Sequence, residues 1–344
     1  MASSADHQRV QSNHWYNKQI SRRFLLTGAL ASLAFGSYSL LRNQSADIND
    51  KEENLPTSNL TSIATPKIDL ENIIIQDANI LAGKTDLQSN RYVVVILESH
   101  EMNADGTVNQ NAVPHQQRLY AAGLQLIKAG FTNVFAESHF KELSLDKYIE
   151  LFERDNPNIK FGPLLNLQDS QTAERVIQSD YFGKGIATSW LVPLTFRGKV
   201  NFHGAEDIES GKKQAYYHNL LLTIEETLNS GYFDEMKAMY NQNPRNAEAR
   251  QFLTEFNQAV DYVNNNYEWF IDGRSRAMIG SVLSLDNGIL FAGSNHFGSI
   301  KDMLDKRGVN YLIIGTNSSD NIITFERQFK KQVENLSKYK VQLN

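Results

Sequence analysis

Two stretches of this chain, Tyr92-Val-Val-Val-Ile-Leu-Glu-Ser-His100 and Gly288-Ile-Leu-Phe-Ala-Gly-Ser-Asn-His296, each run an apolar segment straight into a histidine. Each is followed by a helix-like stretch and then by a second apolar run introduced by glycine. These second runs are Gly130-Phe-Thr-Asn-Val-Phe-Ala-Glu137 and Gly308-Val-Asn-Tyr-Leu-Ile-Ile-Gly315. Continuous apolar runs of this length, bounded by polar turns and alternating with helical patterns, mark strands buried on both faces. The repetition predicts an α/β fold with a mostly parallel sheet built from two β-α-β halves. Ligands of open α/β sheets sit in the crevice outside the carboxyl ends of the strands. His100 and His296 are therefore expected at one rim.

The first unit reads as strand Tyr92–Leu97, helix His115–Ala129 and strand Thr132–Ala136. Leu119, Ala122, Leu126 and Ala129 recur at helical spacing, and Gly130 supplies a left-handed stop. Helix Ser144–Phe152, a loop running into a helix over Asn166–Glu174, and strand Lys199–Phe202 leading to His203-Gly-Ala-Glu-Asp207 follow. Nearly all of Gly211–Trp269 is compatible with helix, and such an insertion is expected to form a cap over the rim. Its aromatics, Tyr217, Phe252 and Phe256 among them, equally suit the core of a helical layer. Helix Arg274–Ser284 precedes the last β-α-β pattern, and Ile322–Asn344 reads as a short strand and a polar helix. The whole of 68–344 is expected to be one α/β domain with that helical cap.

Ahead of it, Ser21-Arg-Arg-Phe-Leu-Leu26 and the weakly apolar stretch to Leu41 have the parts of a twin-arginine export signal: paired arginines, then an apolar core diluted by Gly, Ala and Ser. The same parts suit a short membrane anchor, or a basic pair before a helix. Residues 1–41 are expected to be a signal or tether, and 42–67, rich in Asn, Ser, Thr and acids, a solvated linker. This predicts an exported protein, periplasmic or in the cell envelope, that meets the twin-arginine export machinery.

A net charge of −5 gives no electrostatic reason to expect nucleic acid as a partner. The absence of cysteine excludes disulfides, thiolate catalysis and cysteine-held metal centres. Any metal would need His, Asp, Glu or water.

Glu98 and His100 point the same way if the strand persists to its end, with Glu101 next to them. A carboxylate and an imidazole so placed can bind one metal, or act as a general base and its orienting partner. Glu137 and His139 repeat the spacing at the next strand, and His203 with Glu206 is a looser version. His296 follows Gly293, where the backbone can turn sharply. No Gly-x-Ser-x-Gly elbow is present, which disfavours a serine nucleophile.

Leu97-Glu98-Ser99-His100-Glu101 resembles the first Gly-Glu-x-His-Asp motif of the superfamily that groups erythromycin esterases, ChaN-like haem-binding lipoproteins and Tiki/TraB-type proteins, with Leu97 in place of the glycine. His115-Gln-Gln117 is similar to its His-x-x-Gln region, and Glu137 to the acid closing its second strand. Arg274-Ser-Arg-Ala-Met278 is similar to its Arg-Asp/Asn-x-x-Met helix, with Ser275 in place of the acid or amide. Gly293-Ser-Asn-His296 is similar to its second Gly-x-x-His.

The resemblance implies a rim site of His100, Glu98, Glu137, Arg274 and His296. It also implies a hydrolase of an ester, lactone or amide in a small molecule or peptide, acting through activated water. His100 would be general base or metal ligand, and Glu98 and Glu137 would orient it. Arg274 would stabilise oxyanion charge, and His296 would serve as second acid/base. A divalent metal on His100, Glu98, Glu137 and His296 is one form of that site. Two alternatives stand beside it: a binding protein for haem or another flat apolar ligand, and a catalytically silent envelope scaffold.

Overall fold

A computed structural model describes residues 78–85, 91–98, 108–285 and 287–343. The signal or anchor, the linker, His100 and Glu101 lie outside the described residues. The strands are β1 (Asn79–Lys84), β2 (Tyr92–Glu98), β3 (Asn133–Phe140), β4 (Asn201–Glu206), β5 (Asn287–Gly293) and β6 (Asn310–Gly315). The helices are α1 (Val113–Lys128), α2 (Leu145–Asp155), α3 (Gly162–Leu165), α4 (Asp169–Gln178), α5 (Thr188–Thr195), α6 (Ile208–Asn229), α7 (Tyr232–Gln242), α8 (Ala247–Glu268), α9 (Arg274–Val282), α10 (Phe297–Arg307) and α11 (Ser319–Asn335). They form a mixed α/β architecture around a six-stranded sheet of order β1-β6-β2-β5-β3-β4, parallel except for the edge strand β1.

The described residues divide into two compact units. One is the α/β unit, ending its first segment at Gly211 and resuming over Ile271–Glu326; the other is helical and gathers Lys212–Phe270 with the chain from Arg327 onward.

The α/β unit forms because its central strands are apolar at every position. Val93 to Leu97 and Ile289 to Ala292 are all buried, so both faces of the sheet need a covering layer. Strand parity sorts the side chains. Val94 and Ile96 pack with Leu119, Ala122 and Leu126 of α1, whereas Val93 and Val95 pack with Ile300 and Leu304 of α10 and Met278 of α9. Helix α1 opens with Pro114 in its first turn and ends where Gly130 takes φ 108°. Helix α10 ends in the same way, at Gly308 with φ 61°.

These crossovers create a switch point. From β2 the chain crosses by α1 to β3, beyond β5; from β5 it crosses by α10 to β6, beyond β2. The connections diverge over opposite faces, and the carboxyl ends of β2 and β5 border the crevice this leaves. Glu98 is registered with Gly293 at that place.

Two expectations are corrected here. The tail has no strand at Ile322, which lies in α11 and packs against the sheet's apolar layer with Leu304 and Ile313. Its β-branched sequence suggested a strand, but burial against a completed sheet face decides for helix. Strand β4 begins and ends later than expected, carrying His203 and Glu206 inside it. Gly204 allows this, because a Cβ there would stand 2.1 Å from the backbone carbon of Phe140.

Candidate functional site

Arg274 opens α9 at 2% exposure, and its guanidinium gathers the site around itself. Its Nε donates to Glu206 Oε1 at 2.7 Å and its Nη2 to Glu206 Oε2 at 2.9 Å, a two-pronged grip on a carboxylate with no exposed surface. Nη2 also donates to Glu137 Oε1 at 2.7 Å, and Nη1 stands 3.4 Å from His296 Nε2. β3, β4, α9 and the turn after β5 thus each send one side chain to a common point.

Glu137 is the member nearest solvent, with its side chain 15% exposed. Its Oε2 accepts from the Gly293 N–H at 2.5 Å, and its Oε1 lies 3.4 Å from His296 Nε2. Burial alone would raise its carboxyl pKa. The adjacent Arg274 and His296, with the Gly293 N–H, outweigh that and hold it well below the usual carboxylate range. Gly293 also matters sterically: a Cβ there would meet Glu137 Oε2 at 3.2 Å.

The proton on His296 follows from its neighbours. Nδ1 lies 3.2 Å from the carbonyl oxygen of Ile271 and 2.8 Å from Ser275 Oγ. A carbonyl only accepts, and Ser275 spends its own hydrogen on Ile271 O at 2.7 Å. Nδ1 therefore carries the hydrogen, and Nε2 is the ring nitrogen that faces Glu137 and Arg274. Ile271 lies in the wide π turn Trp269–Gly273 that leads into α9. Ser275, a departure from the motif in sequence, joins the Ile271 carbonyl in accepting from that Nδ1–H.

Of the expected residues, Glu137, Arg274 and His296 come together. Glu98 sits at the switch point with its carboxylate accepting from the Ser189 N–H of α5 at 3.1 Å, on the α1 side of the sheet by strand parity, while its carbonyl accepts from Ser294 Oγ at 3.1 Å. His100 lies outside the described residues. His139 does not share the face of Glu137. Ser138 adopts φ 60°, the strand kinks, and His139 turns away into the rings of Tyr148, Trp190 and Phe202. The two-residue alternation assumed an unbroken strand. His203 stacks on Phe135 at 4.7 Å and also stays out of the cluster.

Glu206, weighed in sequence only as a loose third rim element, proves to be the principal partner of Arg274. A signal for it was present, since Ala205-Glu206 repeats the Ala136-Glu137 pair.

Among the described residues no three His, Asp or Glu side chains form a group able to hold a metal ion. The place between the two carboxylates is filled by a guanidinium, which as a cation does the neutralising a metal would do. His100, one of the four residues expected to hold a divalent ion, lies outside the described residues.

Fold and site together define an α/β protein with a buried arginine-dicarboxylate-histidine cluster at the rim of its sheet. Compared with protein-family models, with curated proteins and with solved structures, the chain shows no match.

Proposed function

We propose that the protein is a hydrolase that cleaves an ester, lactone or amide by attack of water activated between Glu137 and His296. The observation that carries this is a ring whose Nδ1 is committed to Ile271 and Ser275, which leaves Nε2 3.4 Å from Oε1 of Glu137, the carboxylate of the cluster with exposed surface. Water loses a proton to His296 Nε2 while its oxygen bonds to the substrate carbonyl carbon. The resulting imidazolium is stabilised by Glu137. As the C–O or C–N bond breaks, His296 returns the proton to the leaving oxygen or nitrogen. Arg274 holds Glu137 in place and supplies positive charge beside the developing anion.

The resemblance to the erythromycin esterase, ChaN-like and Tiki/TraB superfamily belongs to the same proposal. So does the view of the fold as two β-α-β halves, supported by the like layout of β2-α1-β3 and β5-α10-β6. The helical insertion is proposed to serve as a cap that selects the substrate, a small molecule or peptide. Export by the twin-arginine route, with an envelope location and a tether through the first segment, rests on the Ser21–Leu41 pattern. Among the described residues no helix is long and apolar enough to cross a membrane.

His296→Ala, assayed on a panel of esters, lactones and amides at a temperature where circular dichroism shows it folded, is expected to lose about 10²–10⁴ in kcat/KM. Undiminished turnover in His296→Ala removes the hydrolytic role. A Soret band in the purified protein, together with no turnover on the panel, would instead favour the haem binder.

A further inference from the structure

Residues 137–139 leave the hydrogen-bond ladder: β3 pairs with β5 only as far as Ala136, and its pairing with β4 skips from Ala136 to Phe140. The freed main-chain groups are taken up by side chains. The Ser138 N–H donates to Glu206 Oε2 at 2.8 Å, and the Phe140 N–H to the Tyr148 hydroxyl. The carbonyl of Glu137 lies 2.9 Å from His139 Nδ1, and because a carbonyl only accepts, His139 carries its hydrogen there.

That bond has a cost. With Nδ1 so committed, Nε2 is a bare acceptor, and it is buried without a hydrogen-bond partner among the described residues. Around it the rings of Tyr148, Trp190 and Phe202 stand at 4.7, 5.0 and 5.3 Å from the imidazole. Phenylalanine would fill this box without stranding a nitrogen. What phenylalanine cannot do is donate to the Glu137 carbonyl.

We infer that His139 is a positioning residue for Glu137, its Nδ1–H closing the Ser138 kink from the far face of the sheet and so fixing the direction in which the Glu137 carboxylate leaves the strand. The carboxylate thereby meets Arg274, Gly293 and His296 on the opposite face. The geometry stands by itself, and only its consequence for turnover rests on the proposed hydrolysis.

Two variants separate this from simple packing. In His139→Asn the amide Nδ2 takes the place of Nδ1 and keeps the bond, whereas His139→Phe keeps the ring and loses it. Read by carboxyl ¹³C NMR, Glu137 is expected to titrate in His139→Asn as in the parent protein. In His139→Phe it should move up toward the ordinary carboxylate range by about one pH unit or more. The pH profile of hydrolysis should follow it. Equal Glu137 titration in both variants overturns the inference. Should His139→Phe fail to fold, ¹⁵N NMR of the parent protein decides: the Nδ1–H tautomer of His139 supports the inference and the Nε2–H tautomer overturns it. A Glu137 shift in a protein without any hydrolytic turnover would uphold the positioning and sink the hydrolase.

Discussion

Arg274→Met is expected to lose about 3–5 kcal/mol of folding stability at neutral pH, the usual cost of removing one side of a buried ion pair. The reason is the company it leaves behind. Glu206 is fully buried and Glu137 partly so, and Arg274 meets both at 2.7 Å. No other cation among the described residues is paired with Glu206, so its charge would stay in the interior uncompensated. Arg274→Lys is expected to fare little better, since one ammonium cannot reproduce the guanidinium's bonds to both oxygens of Glu206 and one of Glu137. Combining Arg274→Met with Glu206→Gln removes the stranded charge, so the double variant should be more stable than Arg274→Met alone. Urea denaturation of the parent protein, Arg274→Met, Glu206→Gln and the double variant checks this. Additive losses would show that the pair does not act as a unit.

The second large effect is an acid limb in stability that belongs to His139. Burial drives its pKa down from 6.5 to about 4, against the smaller opposing pull of the Glu137 carbonyl and of the Glu206 and Glu137 charges. Between those values the unfolded chain binds the proton and the folded protein refuses it. The stability is therefore fully present above pH 6.5 and is lost as pH falls toward 4, by about 3 kcal/mol in all. His115 and His203, both also lowered by burial, add to the fall, whereas Glu225 and Glu326, raised by burial, work against it. The contribution of His139 is read as a difference. Plotted against pH, the stability curves of the parent protein and His139→Phe should diverge between pH 6.5 and 4, with the variant flatter. Parallel curves over that interval would show that the imidazole is protonated freely in the folded state.

Much of the α/β core was legible because its strands are buried on both faces, which forces apolar residues at every position from Val93 to Leu97 and from Ile289 to Ala292. The helix stop at Gly130 was legible for a local reason, its left-handed backbone. The resemblance pointed to His100, Glu98, Glu137, Arg274 and His296 as one rim site; Glu137, Arg274 and His296 meet in the fold, the Glu98 carboxylate bonds to Ser189 instead, and His100 lies outside the described residues. The failures were tertiary. Nothing in Glu137-Ser-His139 announces that Ser138 will take a positive φ and send His139 to the other face, since that conformation is held by bonds to Glu206 and Glu137 that form only in the fold. Glu206 looked like a loop residue because β4 is short and polar, and its value lies in a partner 68 residues away. Ser275 read as a defect in a motif, yet its hydroxyl relays between Ile271 and His296.

The most direct test of a water-activating centre at this rim is the hydrolytic rate of Glu137→Gln beside the parent protein. Both are assayed on the best substrate of the panel, at a temperature where each is folded. The amide keeps the size of the carboxylate and leaves Glu206 to hold Arg274, but it cannot stabilise a protonated His296. A rate lower by about 10² or more is expected, with the far-ultraviolet spectrum unchanged. A folded Glu137→Gln that turns over substrate as fast as the parent would contradict it, leaving Arg274 and its carboxylates as an ion-pair bolt across the sheet and nothing more.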